Sequence, residues 1–525
     1  MPSPRSRVRP RVRGAAEGGT VPLDRLEAQY VRLRRGANLA EWRLRVGRGG
    51  DGSLPWQHRI HELFHRDGLL AWSRRYARVA KRPRDRWRAE LLGRLVTDAE
   101  VEQHPSIAEA RACLEREVYD FRPLWRGRRT GRAVVRAHLK TERTRSVRAT
   151  AWAAEEPLHR SLEPGVRLLA RLRNERAREL GYRSFPEFRL GAEGFTVPQF
   201  ERLLAGLARN VRGANIARRR AFEEATRHPE YFPWDEEFGD ELQAPAYGPA
   251  FPDDGMLATV CAGVRCWGFG SAPLRFRVDR HDLSSGGVSM PIDPPRDVRV
   301  IIHPTAGWVR YMILFHEVGH TVHSRTNDRH SGFPRSYDYI PGFFGLVEGM
   351  GTVLEEIPRS AEWLATRPGF DPRRAAAYAR AQALAHVGRM RSSIARVRTE
   401  LALYRNPDAD LDEVLLRANR ELADFDEVPR SSFVDPFFVD LPVYLSAYVL
   451  ANLFAKQLLD SALAETGGTI WPNHRLGPWL IRHWFRDSGL FDWAQRLREL
   501  TGRPLGATSF NRWAGATVAA DAQTL

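Results

Sequence analysis

In the segment WVRYMILFHEVGHTVHS, Trp308 to Ser324, two histidines stand four residues apart within a nearly apolar run. A helix there puts His316 and His320 on one face, one turn apart, which is the spacing of a zinc clamp. Glu317 lies about 100° round the same helix, within reach of a water at the metal but turned away from direct ligation, and reads as the general base. A catalytic zinc takes three protein ligands and keeps one position open. The continuation Gly345 to Glu356, GLVEGMGTVLEE, offers Glu348 as the third ligand. Small Gly349 and Gly351 behind it would let a second helix cross the first. Glu355 lies two turns further along the face of Glu348, placed to hold a ligand histidine by its free N–H. The bland alternative makes Glu355 and Glu356 a charged helix end before Pro358. His323, one more turn along the clamp face, reads as packing near the site rather than ligating. Gly319 is a place where backbone could approach a substrate closely.

A chance HExxH must be weighed in a chain with 16 His and 64 acidic residues. The chain supplies its own control in His61-Glu62-Leu63-Phe64-His65, where Arg66 and Asp67 follow at once and Arg59 precedes. That copy reads as a solvated amphipathic helix. The copy at His316 is flanked by Tyr311 to Phe315 and by Thr321 and Val322, with no charge among them.

HEVGHTVH (His316 to His323) followed by VEGMGTVLE (Val347 to Glu355) resembles the thimet oligopeptidase and oligoendopeptidase F family. Upstream, RDVRVIIHPT (Arg296 to Thr305) is similar to the corresponding segment of angiotensin-converting-enzyme-like dipeptidases, which share that fold. RNERARELGYRSFPEF (Arg173 to Phe188) and PVYLSAY (Pro442 to Tyr448) agree with the resemblance. It implies a mostly α, two-lobed ellipsoid with a deep central groove, a small sheet whose edge strand binds peptide, and Zn2+ on His316, His320 and Glu348. It also implies that a tyrosine near Tyr444 and Tyr448 donates to the tetrahedral oxyanion; either residue fits, and two core tyrosines are the alternative. One departure stands out: these families carry a histidine shortly before those tyrosines, whereas this chain has none between His386 and His474. His303 and His474 are possible substitutes, and Arg430 is the nearest cation for a substrate carboxylate.

A chain of 525 residues with 43% hydrophobic content can bury a large core. Cys113, Cys261 and Cys266 are too few for a disulfide framework or a four-cysteine zinc site. No apolar run approaches a membrane span, so a cytoplasmic location is the simplest expectation. A net charge of +17 raises a nucleic-acid reading. Only Lys81, Lys140 and Lys456 are lysines among 81 basic residues, and the arginines are dispersed without aromatic interleaving. No specific nucleic-acid partner follows. A short peptide is the expected substrate, a non-peptide amide the runner-up, and the oligomeric state is not legible.

In chain order, residues 1–20 read as a disordered basic tail, 21–260 as an N-terminal helical lobe and 261–525 as the zinc-binding lobe. Proline and glycine punctuation predicts breaks at Gly49-Gly50, Pro105, Pro157, Pro164 and Pro186. His228 to Asp254 reads as a long loop. Leu274 to Val278 and Val298 to Ile302 read as short strands separated by a loop. The second is expected beside the zinc helix as an exposed edge, with Val300 and Ile302 binding substrate backbone. Arg373 to Leu403 and Leu411 to Asp424 read as scaffold helices.

Overall fold

The computed structural model describes residues 23–49, 52–245, 249–281, 286–303, 307–327, 332–425 and 434–522. The basic tail and Arg430 lie outside them. The chain is mostly helical, with one two-stranded and one three-stranded sheet among the described residues. Its helices include α1 (Leu23–Arg45), α2 (Glu156–Glu179), α3 (Val197–Thr226), α4 (Gly307–Thr326), α5 (Phe344–Arg359), α6 (Pro372–Arg405), α7 (Leu445–Thr466) and α8 (Thr508–Ala522).

Three of the four proline breaks fall where the sequence puts them. Pro105, Pro157 and Pro186 each sit in the first turn of a helix, where a missing N–H costs nothing. Pro164, expected to break the chain, lies inside α2. The stretch expected as a loop after His228 contains a short helix, Glu236–Gln243. The scaffold helices fall where periodicity puts them, as α6 and Leu411–Ala423.

Helices α4, α5 and α7 form the centre, α5 packing between the other two. Leu346, Met350, Val353, Leu354 and Ile357 of α5 are all fully buried. Burying each such side chain stabilises by roughly 1.5–3 kcal/mol, so this one helix is held strongly enough to place polar groups at fixed positions. Close approach of α4 and α5 depends on glycine. A Cβ at Gly319 would stand 2.5 Å from the Met350 carbonyl oxygen and 2.9 Å from Gly351 Cα. Gly319 thus serves the helix crossing, not a substrate contact as its motif position suggests.

The hairpin β1 (Leu124–Trp125) and β2 (Arg128–Arg129) lies apart from the site strands β3 (Arg277–Arg280), β4 (Gly287–Asp293) and β5 (Asp297–Ile302). The three-stranded order is β3-β5-β4, with β3 parallel and β4 antiparallel to β5, Val288 opposite Ile301. This corrects the expectation for Val300 and Ile302. They lie beside α4, but on the middle strand, paired on both sides and fully buried. Backbone already spent on two ladders cannot accept a third chain. The edge strand against α4 is β4, which lies in the stretch expected as a loop. Helix α1 crosses it at one end, where Asn38 Nδ2 donates to the Pro291 carbonyl (2.9 Å).

Candidate metal centre

His316 and His320 project from α4 with their Nε2 atoms 2.9 Å apart. His316 Nδ1 faces Glu355 Oε1 at 2.7 Å, so the proton on that nitrogen is committed to Glu355 and the other nitrogen faces the site. His320 is held in turn by the backbone of Val347. Glu348, from α5, brings Oε2 to 3.3 Å from His316 Nε2. That oxygen is buried and receives no hydrogen bond. One ligand atom from each of these three side chains lies within 4.8 Å of the others.

These donors fit a tetrahedral ion. Two ligand atoms about 2 Å from one such ion stand roughly 3.3 Å apart, against 2.9 Å between the two histidine nitrogens and 3.3 Å from His316 to Glu348. A buried carboxylate oxygen with no donor is otherwise costly. Electrostatics agree: burial pulls the His316 imidazole down, but the Glu348 and Glu355 carboxylates outweigh it and hold its pKa well above the usual value. His320, buried beside charged His316, falls to about 4.

Glu355 and Glu356 are not a solvated helix end. Glu355 is clamped by Arg359 at 2.5 Å as well as by His316, and Glu356 pairs with Lys456 of α7 at 2.6 Å. This row of alternating charge backs the ligand helix with buried ion pairs. The N-terminus of α5 is held by a residue that sequence reasoning missed. Glu193 Oε1 accepts from the amides of Phe344 (2.8 Å) and Gly345 (3.4 Å), fixing the first turn whose next residues carry Glu348. No local signal marks Glu193, because the helix it caps begins far along the chain.

Glu317 lies on the strand side of α4, nearly buried, with its carboxylate against Gly287. Burial pushes its carboxyl up to about 7; His316 and the amide of Ser289 pull it down, while Glu348 and Glu355 reinforce burial. Ser289 also meets Thr321 of α4 through their hydroxyls at 3.0 Å. Of the two tyrosines, Tyr444 Oη donates to Glu348 Oε1 at 2.6 Å, at the entrance to α7. Tyr448 stands one turn on, its ring 5.7 Å from that of Tyr444, and burial together with Glu348 and Glu317 pushes its hydroxyl well above the usual value. His323 Nε2 is 2.7 Å from Ser488 Oγ, a buried hydrogen bond that ties the ring down beside the histidine pair. His474 is exposed, its backbone against Gly268. His303 follows β5 and bonds through its amide to Gly286. The control motif ends its helix at Phe64, with His65 exposed against Glu100.

The fold and site together define a helical protein with a His–His–Glu centre on two crossing helices, able to hold a divalent cation beside a buried carboxylate. No protein-family model matches the chain. No curated protein matches it. Solved structures do. The chain is similar to a Pyrococcus furiosus carboxypeptidase described in an apo-Mg form, with a TM-score of 0.65 and 15% identity over 95% of this chain and 99% of that one. It is similar also to an M32 carboxypeptidase from Deinococcus radiodurans R1, with a TM-score of 0.63 and 14% identity over 95% and 99% of the two chains. What they share at this identity is the fold. No helix among the described residues is long and apolar enough to cross a membrane.

Proposed function

We infer that this protein is a zinc-dependent peptidase acting on short, unfolded peptides. The observation that carries the reading is the convergence of His316, His320 and Glu348, with Glu317 on the same helix as the two histidines. Two imidazole nitrogens and one carboxylate oxygen with a fourth position open is the ligand composition of catalytic zinc, whereas closed structural sites use four protein ligands. Zinc held there supplies Lewis-acid polarisation of a carbonyl and eases ionisation of water.

The chain's own residues do the rest. Glu317 takes a proton from the attacking water and returns it to the leaving nitrogen; a carboxyl pushed up to about 7 can do both near neutrality. Tyr444 is committed to Glu348, and so steadies the ligand. Tyr448, kept protonated by burial beside two carboxylates, is assigned as the donor to the oxyanion. The half-buried Gly287–Ser289 end of β4, next to Glu317, offers substrate backbone a strand to pair with.

The two solved structures described above are carboxypeptidases, which favours removal of residues from a free C-terminus over internal cleavage. Mixed short peptides, each with a free and an amidated C-terminus, test this. Stepwise loss from the free ends alone is the expected pattern, and equal cleavage of both forms would overturn the exopeptidase part. Glu317→Gln tests the chemistry. The variant should bind about one zinc and lose peptide cleavage by ~10²-fold or more, and undiminished turnover would refute the assigned base.

A further inference from the structure

Tyr444 leaves the chain directly after Val443, whose backbone is unusual. Its φ is +64°, a left-handed conformation that β-branched residues rarely adopt. The residue is buried at 4% exposure, so no solvent accommodates it. Such a conformation persists only where the surroundings impose it.

Three buried side chains tie down this segment, one of them Ser446, whose hydroxyl donates to the Val443 carbonyl. Arg173 of α2 donates from Nη1 to the Phe438 carbonyl and from Nη2 to the Val439 carbonyl, both at 2.7 Å, while Glu102 holds its other edge. Glu400 of α6, 2% exposed, accepts the Val443 amide on Oε1 at 2.7 Å. After Val443 the chain turns at once into the right-handed backbone of Tyr444, with φ −72° and ψ −28°. The hydroxyl of Tyr444 then reaches Glu348 Oε1.

We propose that Glu400, by accepting the Val443 amide, holds that residue left-handed and so aims Tyr444 at Glu348, which makes Glu400 a positioning residue for the metal ligand. Without this acceptor the Val443 amide is buried and unpaired, and only the Ser446 hydroxyl and amide on the Val443 carbonyl oppose its return to negative φ. The two tyrosines would then start α7 along a different line. Burial pushes the Glu400 carboxyl up to about 8, so near neutrality its neutral form predominates and a glutamine carbonyl can replace it. The functional consequence rests on the reading of Glu348 as a zinc ligand; the structural claim does not.

The test compares crystal structures, zinc affinity and peptidase kinetics of the full chain with Glu400→Gln, Glu400→Leu, and Glu400→Leu combined with Val443→Gly. Glu400→Gln should keep the Tyr444–Glu348 contact and the parent kinetics. Glu400→Leu should carry Val443 out of the left-handed region, separate Tyr444 from Glu348 beyond 3.5 Å, weaken zinc binding about tenfold and lower kcat with little change in KM. The added Val443→Gly should restore the contact, since glycine needs no support at that φ. Glu400→Asp, one carbon shorter, replaces the leucine variant if that chain fails to fold. Tyr444 still bonded to Glu348 without an acceptor at position 400, or no restoration by glycine, overturns the proposal. A parent protein that cleaves no peptide or binds no zinc would sink the peptidase reading, and the crystallographic comparison would still decide the role of Glu400.

Discussion

Replacing Gly351 by alanine should damage the metal centre without touching any polar group. A Cβ at position 351 would stand 2.5 Å from His316 Cε1 and 2.6 Å from both ring nitrogens, while ordinary contact begins at 3.4 Å. The imidazole would have to retreat by about 0.9 Å, the difference between those distances. It has no room to do so freely, because Glu355 grips Nδ1 at 2.7 Å and α5 is buried on the facing side. Metal–ligand distances tolerate only about ±0.2 Å, so zinc affinity should fall by about tenfold or more. Overpacking should also cost stability, by roughly 1–3 kcal/mol. Isothermal titration with zinc and chemical denaturation of the apo protein measure the two effects. Gly191→Ala is the control, a helical glycine with open space around it, where alanine should be neutral or slightly stabilising. A Gly351→Ala protein with parent zinc affinity and parent stability would refute the described contact between α5 and the His316 ring.

Glu355→Gln should weaken zinc binding by ~10–100-fold while the fold survives, because it removes the charge that orients His316; competition against a chromogenic chelator reads the change. Tyr448→Phe should lower kcat by ~10²-fold with zinc affinity nearly intact, whereas Tyr444→Phe should reduce zinc affinity first; the opposite ranking would exchange the two assignments. At Glu155 burial raises the carboxyl, but hydrogen bonds from Arg132 and Arg136 outweigh it and bring it from 4.5 to about 2. Because the folded value is the lower one, its stabilisation is present above pH 4.5 and is lost as pH falls toward 2. Glu155→Gln should therefore be less stable at pH 6 by on the order of 2–3 kcal/mol, allowing for solvent screening at half-exposed Arg136. Urea titrations across that range should show the gap closing in acid, and a constant gap would refute the pairing.

The grouping of these side chains was legible because much of it is local. His316, Glu317 and His320 share one helical turn, and Glu348 and Glu355 share another helix, so periodicity alone assigns their faces. Val300 and Ile302 were misplaced for the complementary reason. A short apolar run marks a strand, but whether that strand is central or at an edge depends on what pairs with it. Here β4, with Gly287 and Pro291 inside it, looks like a loop in the sequence and becomes the edge. Pro164 makes the same point within a helix, where packing of α2 overrides a local break.

The sequence by itself determined the helical class, the histidine pair on one face of α4 and the acidic residues along α5, since each follows from the 3.6-residue repeat within a single element. Only the tertiary structure decided which oxygen of Glu348 faces His316, which tyrosine holds Glu348, that Glu193 caps the ligand helix, and that Glu400 reaches Val443. Those contacts join residues remote along the chain, and their geometry is set by how closely helices approach at Gly319 and Gly351, a distance that no local pattern encodes.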